Sequence, residues 1–341
     1  MYTAKIYWQF FYLQYQKIKV SIHIYNVLCK PNSFIGILSS FLFFLSIASI
    51  SNVYAAISDF NFAAVGDWGC NSNTDATVKG MANTKTTNKL GAPELVLGLG
   101  DYSYQPTANC WLSKVASIDD NMKITIGNHE NSAKTGFNQY KKSFGLTPNA
   151  YYSFDFQNVH FIIMNTQTPY TAGSSQYNFI KSDLAKAANK ANNDWIIVVM
   201  HEPFYTSPTS CKINSCQGIG NLRDTYHPLF DTYEVDLVLG AHLHDYQRSF
   251  PLEYNSASSA KPIMTSKILS KYNDPKGEIY VIVGTGGINF HKLIGKNSYI
   301  VNQQSSFFGH LNVDITNKGQ VLTAKFIQNN GKVFDLFSIT K

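Results

Sequence analysis

Five apolar runs in this chain each lead into a short polar motif, and their order limits what the chain can fold into. The motifs are Gly66-Asp67-Trp68-Gly69, Gly100-Asp101-Tyr102-Ser103-Tyr104, Gly127-Asn128-His129-Glu130, Val198-Val199-Met200-His201 and Gly240-Ala241-His242-Leu243-His244. The runs at 60–65, 94–99, 123–126, 195–200 and 236–239 are short and rich in Val, Ile and Leu, as buried strands are. Residues at successive strand ends converge on one edge of a sheet, where α/β proteins keep their ligand sites. Between the runs, 174–191 carries Tyr177, Ile180, Leu184 and Ala188 at helical spacing behind a capping Ser174, and 221–233 is a second helix. This alternation predicts an α/β layered core. Residues 151–156 and 159–164 read as a hairpin about Gln157-Asn158. The last third reads as strands at 278–283, 311–315, 321–327 and 333–339, broken by Asn-Lys-Gly and Asn-Asn-Gly turns. Residues 256–270 are polar and read as an exposed loop. One domain with two stacked sheets accounts for all of this.

The first 56 residues do not belong to that pattern. Lys5, Lys17, Lys19 and Lys30 give them four positive charges, and residues 31–58 carry no charge at all. An apolar heart at 34–50 is followed by Val53-Tyr54-Ala55, small residues suited to signal cleavage. The expectation is a signal peptide over 1–56 with a basic extension, and an exported domain over 57–341. An uncleaved anchor is the rival, because the apolar stretch approaches the ~20 residues that span a bilayer. Removing the four leader lysines from the 28 basic residues leaves them nearly balanced against 22 acidic ones. No cluster of Lys and Arg marks a nucleic-acid-binding face.

Cys29 lies in the leader, and Cys70, Cys110, Cys211 and Cys216 lie in the domain. An even number in an exported chain points to two disulfides with three possible pairings. A small loop between Cys211 and Cys216 is the natural choice, which leaves Cys70 with Cys110.

Two metal ions close together can clamp both the attacking and the leaving oxygen of an in-line displacement. Such a pair needs hard oxygen donors, imidazoles and a bridging carboxylate. Asp67 and Asp101 supply carboxylates, Asn128 an amide oxygen, and His201, His242 and His244 imidazoles. In an extended segment His242 and His244 would point the same way. Taken singly each motif is weak, since Gly-Asp after a strand is a common turn and a lone histidine is more often structural. Taken in order, they define a two-metal site.

The set resembles the calcineurin-like metallophosphoesterases, specifically the purple acid and tartrate-resistant acid phosphatases. Asp67-Trp-Gly69, Gly100-Asp101-x-x-Tyr104, Gly127-Asn-His-Glu130, Val198-x-x-His201 and His242-x-His244 match that family's order of motifs. Tyr246, Arg248 and Gly284-Thr-Gly-Gly287 also fit it. The resemblance implies a metallophosphoesterase fold, a four-layer α/β/β/α sandwich with two stacked mixed sheets. It implies a first metal held by Asp67, Tyr104 and His244, a second held by Asn128, His201 and His242, and Asp101 bridging. Tyr104 implies Fe(III) in the first site, with Fe, Zn or Mn in the second, since a phenolate suits ferric iron.

Three features depart from the family pattern. Ala241 stands where glycine precedes the histidine pair, which implies a shifted loop. The loop from Glu202 to Cys211 lacks the histidine that usually lies near the leaving group, so His129 becomes the expected proton donor. Asp67 follows the leader too closely for the amino-terminal β-domain of the plant-type enzymes. His160, His227, His291 and His310 are expected to be structural or exposed. The function implied is exported phosphomonoesterase chemistry by in-line attack of a metal-held hydroxide. Phosphodiesterase or nucleotidase chemistry on the same site is the alternative. A surface binding protein that kept the fold without turnover is a third reading.

Overall fold

The computed structural model describes residues 59–84, 92–130, 136–190 and 194–341. The leader lies outside the described residues. Among them, no helix is long and apolar enough to cross a membrane.

Two mixed sheets carry the fold. The first contains β1 (Phe60–Val65), β2 (Leu95–Gly98), β3 (Met122–Ile124), β10 (Lys271–Asn273), β13 (Gly309–Thr316), β14 (Val321–Gln328) and β15 (Val333–Thr340), in the order β10-β15-β14-β13-β1-β2-β3. The second contains β4 (Tyr152–Phe156), β5 (Val159–Ile163), β6 (Trp195–Val199), β7 (Leu237–Gly240), β8 (Tyr246–Glu253), β11 (Glu278–Val283) and β12 (Ile300–Gln304), in the order β12-β8-β11-β7-β6-β5-β4, with β9 (Ile263–Met264) paired to β8. The segments β1-β2-β3 and β5-β6-β7-β11 are parallel.

Side-chain alternation explains the layering. In β5, β6, β7 and β11, Phe161, Ile197, Val199, Leu239 and Val281 enter the core between the sheets. Their neighbours Ile162, Ile196, Val198, Val238 and Tyr280 face the other way, into a second core. There they meet Ile180 and Leu184 of α4 (Ser175–Ala187) and Leu222, Tyr226 and Phe230 of α5 (Gly220–Thr232). Strands buried on both faces read as unbroken apolar runs, which is why these were legible in the sequence. By contrast β14 alternates buried and half-buried along its length, one face toward the core. Across the inter-sheet core Phe62 and Phe161 meet edge to face at 5.3 Å, and Tyr246 lies against Phe326 at 4.4 Å. On the first sheet, α1 (Ser72–Ala82), α2 (Asn109–Val115) and α3 (Gly136–Phe144) bury Val78, Met81, Trp111 and Tyr140 in the same core cluster.

Ser174 caps α4 by accepting the Tyr177 N–H at 3.1 Å. The hairpin between β4 and β5 turns on Gln157, whose φ is 55°. The structure joins Cys70 to Cys110 and Cys211 to Cys216.

Candidate metal centre

The carboxyl ends of β1, β2, β3, β6 and β7 point to one place. Two residues past β1 stands Asp67, three past β2 stands Asp101, four past β3 stands Asn128, and two past β6 and β7 stand His201 and His242. Tyr104 and His244 follow in the loops after β2 and β7. The loops turn so sharply that Asp67, Asp101, Tyr104 and His242 all adopt left-handed backbone, with φ of 55°, 53°, 53° and 69°. Four non-glycine residues in that region at one site are strain held by the surrounding fold. Close approach matters as much. A Cβ at Gly127 would lie 2.2 Å from Asp101 Oδ1, so only glycine lets the β3 loop pass that carboxylate.

The second candidate set lies deepest. His201 is fully buried, and its Nδ1–H donates to the Leu99 carbonyl at 2.7 Å. That bond fixes the tautomer and leaves Nε2 facing Asn128 Oδ1 at 3.1 Å, Asp101 Oδ2 at 3.4 Å and His242 Nδ1 at 3.3 Å. His242 Nδ1 is itself 2.9 Å from Asn128 Oδ1. A neutral His201 would bring its lone pair up against two oxygens, so the pocket favours a cation there, either a proton or a metal. Without a metal the proton wins. Burial opposes charge on His201, but the carboxylates of Asp101 and Asp67 outweigh it and push the imidazole up to about 10. Burial, then the charge on His201, presses His242 down to about 3. Burial also opposes charge on Asp101, yet the charge of His201 holds that carboxyl well below the usual carboxylate range.

The first candidate set gathers around Tyr104. Its Oη is 3.1 Å from Asp67 Oδ1, 3.1 Å from His244 Nε2 and 3.4 Å from Asp101 Oδ2. His244 donates Nδ1–H to the Asn289 carbonyl at 2.7 Å, which leaves Nε2 as an acceptor. One phenolic proton therefore faces three acceptors. The surplus of lone pairs suits a positive ion, and the mixture of carboxylate, phenolate and imidazole suits a hard or borderline metal. Asp67 is buried and its carboxyl is pushed well above the usual range by that burial, with Asp101 adding to it and His201 opposing. Its Oδ2 accepts the His242 N–H at 2.8 Å, which ties the two sets together. The donor atoms of Asp101, His201 and His242 all lie within 4.8 Å of one another. The residues present thus fit a pair of metal ions.

His129 stands at the rim. Its N–H donates to Asp101 Oδ1 at 2.8 Å, its ring lies 4.2 Å from that of Tyr104, and its side chain is 39% exposed. One expectation needs correction. His242 and His244 do not share an extended segment: the left-handed turn at His242 sends one ring to Asn128 and the other to Tyr104. Ala241 stands just before that turn. It has ordinary backbone and is fully buried, with the left-handed conformation falling on His242 instead.

Sequence reasoning missed two participants. Glu130 is buried and accepts the backbone N–H groups of Asp101 at 2.7 Å, Tyr102 at 2.8 Å and Gly127 at 3.3 Å. Burial, then the charge of Asp101, pushes its carboxyl up to about 8, against the pull of those donors. Its position two residues after Asn128 in a quoted motif was the available signal. His291 stacks on His244 at 3.9 Å with 10° between the rings. It lies just beyond the Gly-rich turn that ends a parallel strand, a position that sets it apart in the sequence from the other histidines expected to be structural or exposed, without assigning it a role. The other histidines are structural: His160 and His227 are buried in carboxylate pairs, and His310 is buried against Thr84.

Residues 60–246 match the family model for calcineurin-like phosphoesterases. The chain belongs to the calcineurin-like phosphoesterase family. Within the family it is similar to purple acid phosphatase 21 of Arabidopsis thaliana, 31% identical over 274 residues, covering 73% of this chain and 55% of that protein. It spans about half the length of the curated relatives it matches. Purple acid phosphatase PPD1 from yellow lupin seeds has the same fold, with a TM-score of 0.70 at 19% identity, covering 83% of this chain and 54% of that one. So does GAP50, the anchor in the inner membrane complex of Plasmodium, with a TM-score of 0.61 at 18% identity, covering 83% and 89%. Family membership implies a metal-dependent phosphoesterase site with a dimetal centre.

Proposed function

We propose that this chain is an exported phosphomonoesterase with two metal ions, resembling the acid phosphatases. The observation that carries the reading is the convergence of His201 Nε2, His242 Nδ1, Asn128 Oδ1 and an Asp101 carboxylate oxygen, with the two ring nitrogens facing across 3.3 Å. Asp67, Tyr104 and His244 would hold the first ion, Asn128, His201 and His242 the second, and Asp101 both. Fe(III) suits the first set because of Tyr104, and Fe, Zn or Mn suits the second. When bound, the pair supplies the positive charge that draws in and polarises a phosphate ester.

The chain's own groups do the rest. Asp101 is fixed by the N–H of His129 and the grip of Glu130 on its backbone, so its carboxylate cannot rotate away. His129, exposed beside Tyr104, is placed to steady the phosphoryl oxygens or to give a proton to the leaving oxygen from its imidazole. With no histidine between Glu202 and Cys211, it is the proton donor at hand. Two disulfides fit an oxidising compartment, and the basic, then apolar, leader fits export.

The test is metal analysis of the purified protein together with turnover of p-nitrophenyl phosphate and bis(p-nitrophenyl) phosphate. Two metals per chain and faster turnover of the monoester are expected. A protein that binds no metal, or that prefers the diester, would refute the reading.

A further inference from the structure

The loop after β11 touches the candidate metal centre at several points. Ile288 N–H donates to the Asp67 carbonyl at 3.1 Å, and Gly286 N–H to that of Gly66 at 2.9 Å. Three residues on, the same loop reaches His244. The Asn289 carbonyl takes its Nδ1–H at 2.7 Å, the His291 N–H donates to its carbonyl at 3.0 Å, and its own N–H donates to His291 Nδ1 at 3.2 Å. The His291 ring then lies flat on the His244 ring, 3.9 Å away.

The geometry points to His291 as the positioning residue for His244, and to the segment 288–291 as a clamp that aligns Asp67 and His244 for the first metal. This rests on the two-metal reading above. An imidazole ligand is free to rotate about two side-chain bonds, and groups outside the ligand set commonly fix that rotation. Here the Asn289 carbonyl fixes the tautomer, while the stacked ring of His291 blocks rotation about the second bond. The backbone bonds in both directions keep the two residues in register. His291 is further steadied from behind. The 203–218 loop is strapped to 292–297 by Ser210 N–H to the Lys292 carbonyl at 2.7 Å, Ile294 N–H to that of Pro208 at 3.0 Å, and a bridge between Thr209 and Leu293. The Cys211–Cys216 disulfide closes that loop, and both sulfurs lie within 4.8 Å of a ring nitrogen of His291. The loop that lacks the family's histidine is thus the one that braces His291.

Three variants separate the contributions. His291→Ala removes both the stack and the acceptor, His291→Phe keeps the stack, and His291→Asn keeps an acceptor. Each is loaded with metal, then challenged with chelator, and release from the two sites is followed by elemental analysis and by the visible charge-transfer band that a Tyr104 phenolate on Fe(III) would give. Expected is a 10–100-fold loss of first-site affinity and a shifted band in His291→Ala, with the second metal retained. His291→Phe should recover most of the affinity. Equal retention in wild type and His291→Ala would overturn the inference, as would equal loss of both metals. In the metal-free protein, the His244 Nδ1–H proton should exchange slowly by NMR and become fast in His291→Ala. That measurement judges the clamp even if the wild type takes up no metal, and an unchanged exchange rate would overturn it.

Discussion

Glu130 accepts the backbone N–H of Asp101 at 2.7 Å and so holds the residue that stands between both candidate metal sets. The grip explains how Asp101 keeps a φ of 53° without being glycine. Both carboxylate oxygens are used, since Tyr102 and Gly127 donate as well. Glutamine would replace one oxygen with an amide NH2 facing a backbone N–H. Glu130→Gln should therefore weaken metal binding about 10–100-fold and cost about 1–3 kcal/mol of stability. Dialysis against chelator with elemental analysis, and a urea melt of the metal-free protein, measure the two. Full metal retention would show that the grip is dispensable.

Tyr104 separates ferric from divalent chemistry. If its phenolate binds Fe(III), the purified protein is coloured by a charge-transfer band in the visible. Tyr104→Phe should lose the colour and keep the fold, because its ring is only half-buried and the deleted bonds all lie within the site. A colourless wild type that holds two metals and turns over substrate would place two divalent ions here instead.

Much of this was legible because the strands leading to the ligands are buried on both faces. Runs such as Trp195–Val199 have no polar residue to confuse the reading, and a polar residue just beyond them stands out. The ligand candidates therefore stand out at the strand ends, and their order along the chain makes a site of them. Strand β8 was harder to see, because Tyr246–Glu253 mixes Gln247, Arg248 and Ser249 into a buried strand. Arg248 is accommodated by Asp335, 87 residues away, at 2.6 Å. A pair that distant leaves no local signature. His291 was missed for the same reason, since its partner His244 is 47 residues away. The turn at His242 is a backbone event set by tertiary contacts, and the two-residue spacing of the histidines misled.

The Ala241 departure has a structural complement. A Cβ added at Gly66 would lie 2.6 Å from that of Ala241, 3.0 Å from that of Leu99 and 3.2 Å from the Gly100 carbonyl oxygen. Gly66→Ala should therefore cost about 1–3 kcal/mol by overpacking. Ala241→Gly in the same chain should return part of that loss, since it removes the nearest clash and leaves two. Denaturant melts of the two single variants and the double variant measure the coupling. Strict additivity would mean that the two loops give way independently.

His129→Ala tests the proton donor. The bond from its N–H to Asp101 is a backbone bond and survives the change, so metal content should be unaltered. Loss of a general acid costs roughly 10²–10⁴-fold. That loss is expected on alkyl phosphates, whose leaving oxygen needs a proton, and should be smaller on aryl phosphates with acidic leaving groups. Equal losses on both would assign the ring to the phosphoryl oxygens instead.

Far from the metal centre, His160 makes stability depend on pH. The ring lies between Asp155 at 2.7 Å and Asp183 at 2.9 Å, one carboxylate on each nitrogen, so both nitrogens donate and the ring is charged. Burial opposes that charge, but the hydrogen bonds to Asp183 and Asp155 outweigh it and raise the pKa above 6.5. A histidine raised on folding stabilises fully below its unfolded value, and the contribution fades as pH climbs through the raised value. Asp155 behaves oppositely. Burial opposes its ionisation, but Lys190 and His160 hold it below 3.8, so its share is lost only as pH falls through that lowered value. The cluster therefore contributes most between about pH 4 and 6.5. His160→Gln keeps at most one of the two bonds and carries no charge. It should destabilise the protein by about 1–3 kcal/mol near pH 5.5 and by clearly less at pH 9. Melts of both proteins across that range decide the matter, and a gap that stays constant with pH would mean that His160 is held as a neutral ring.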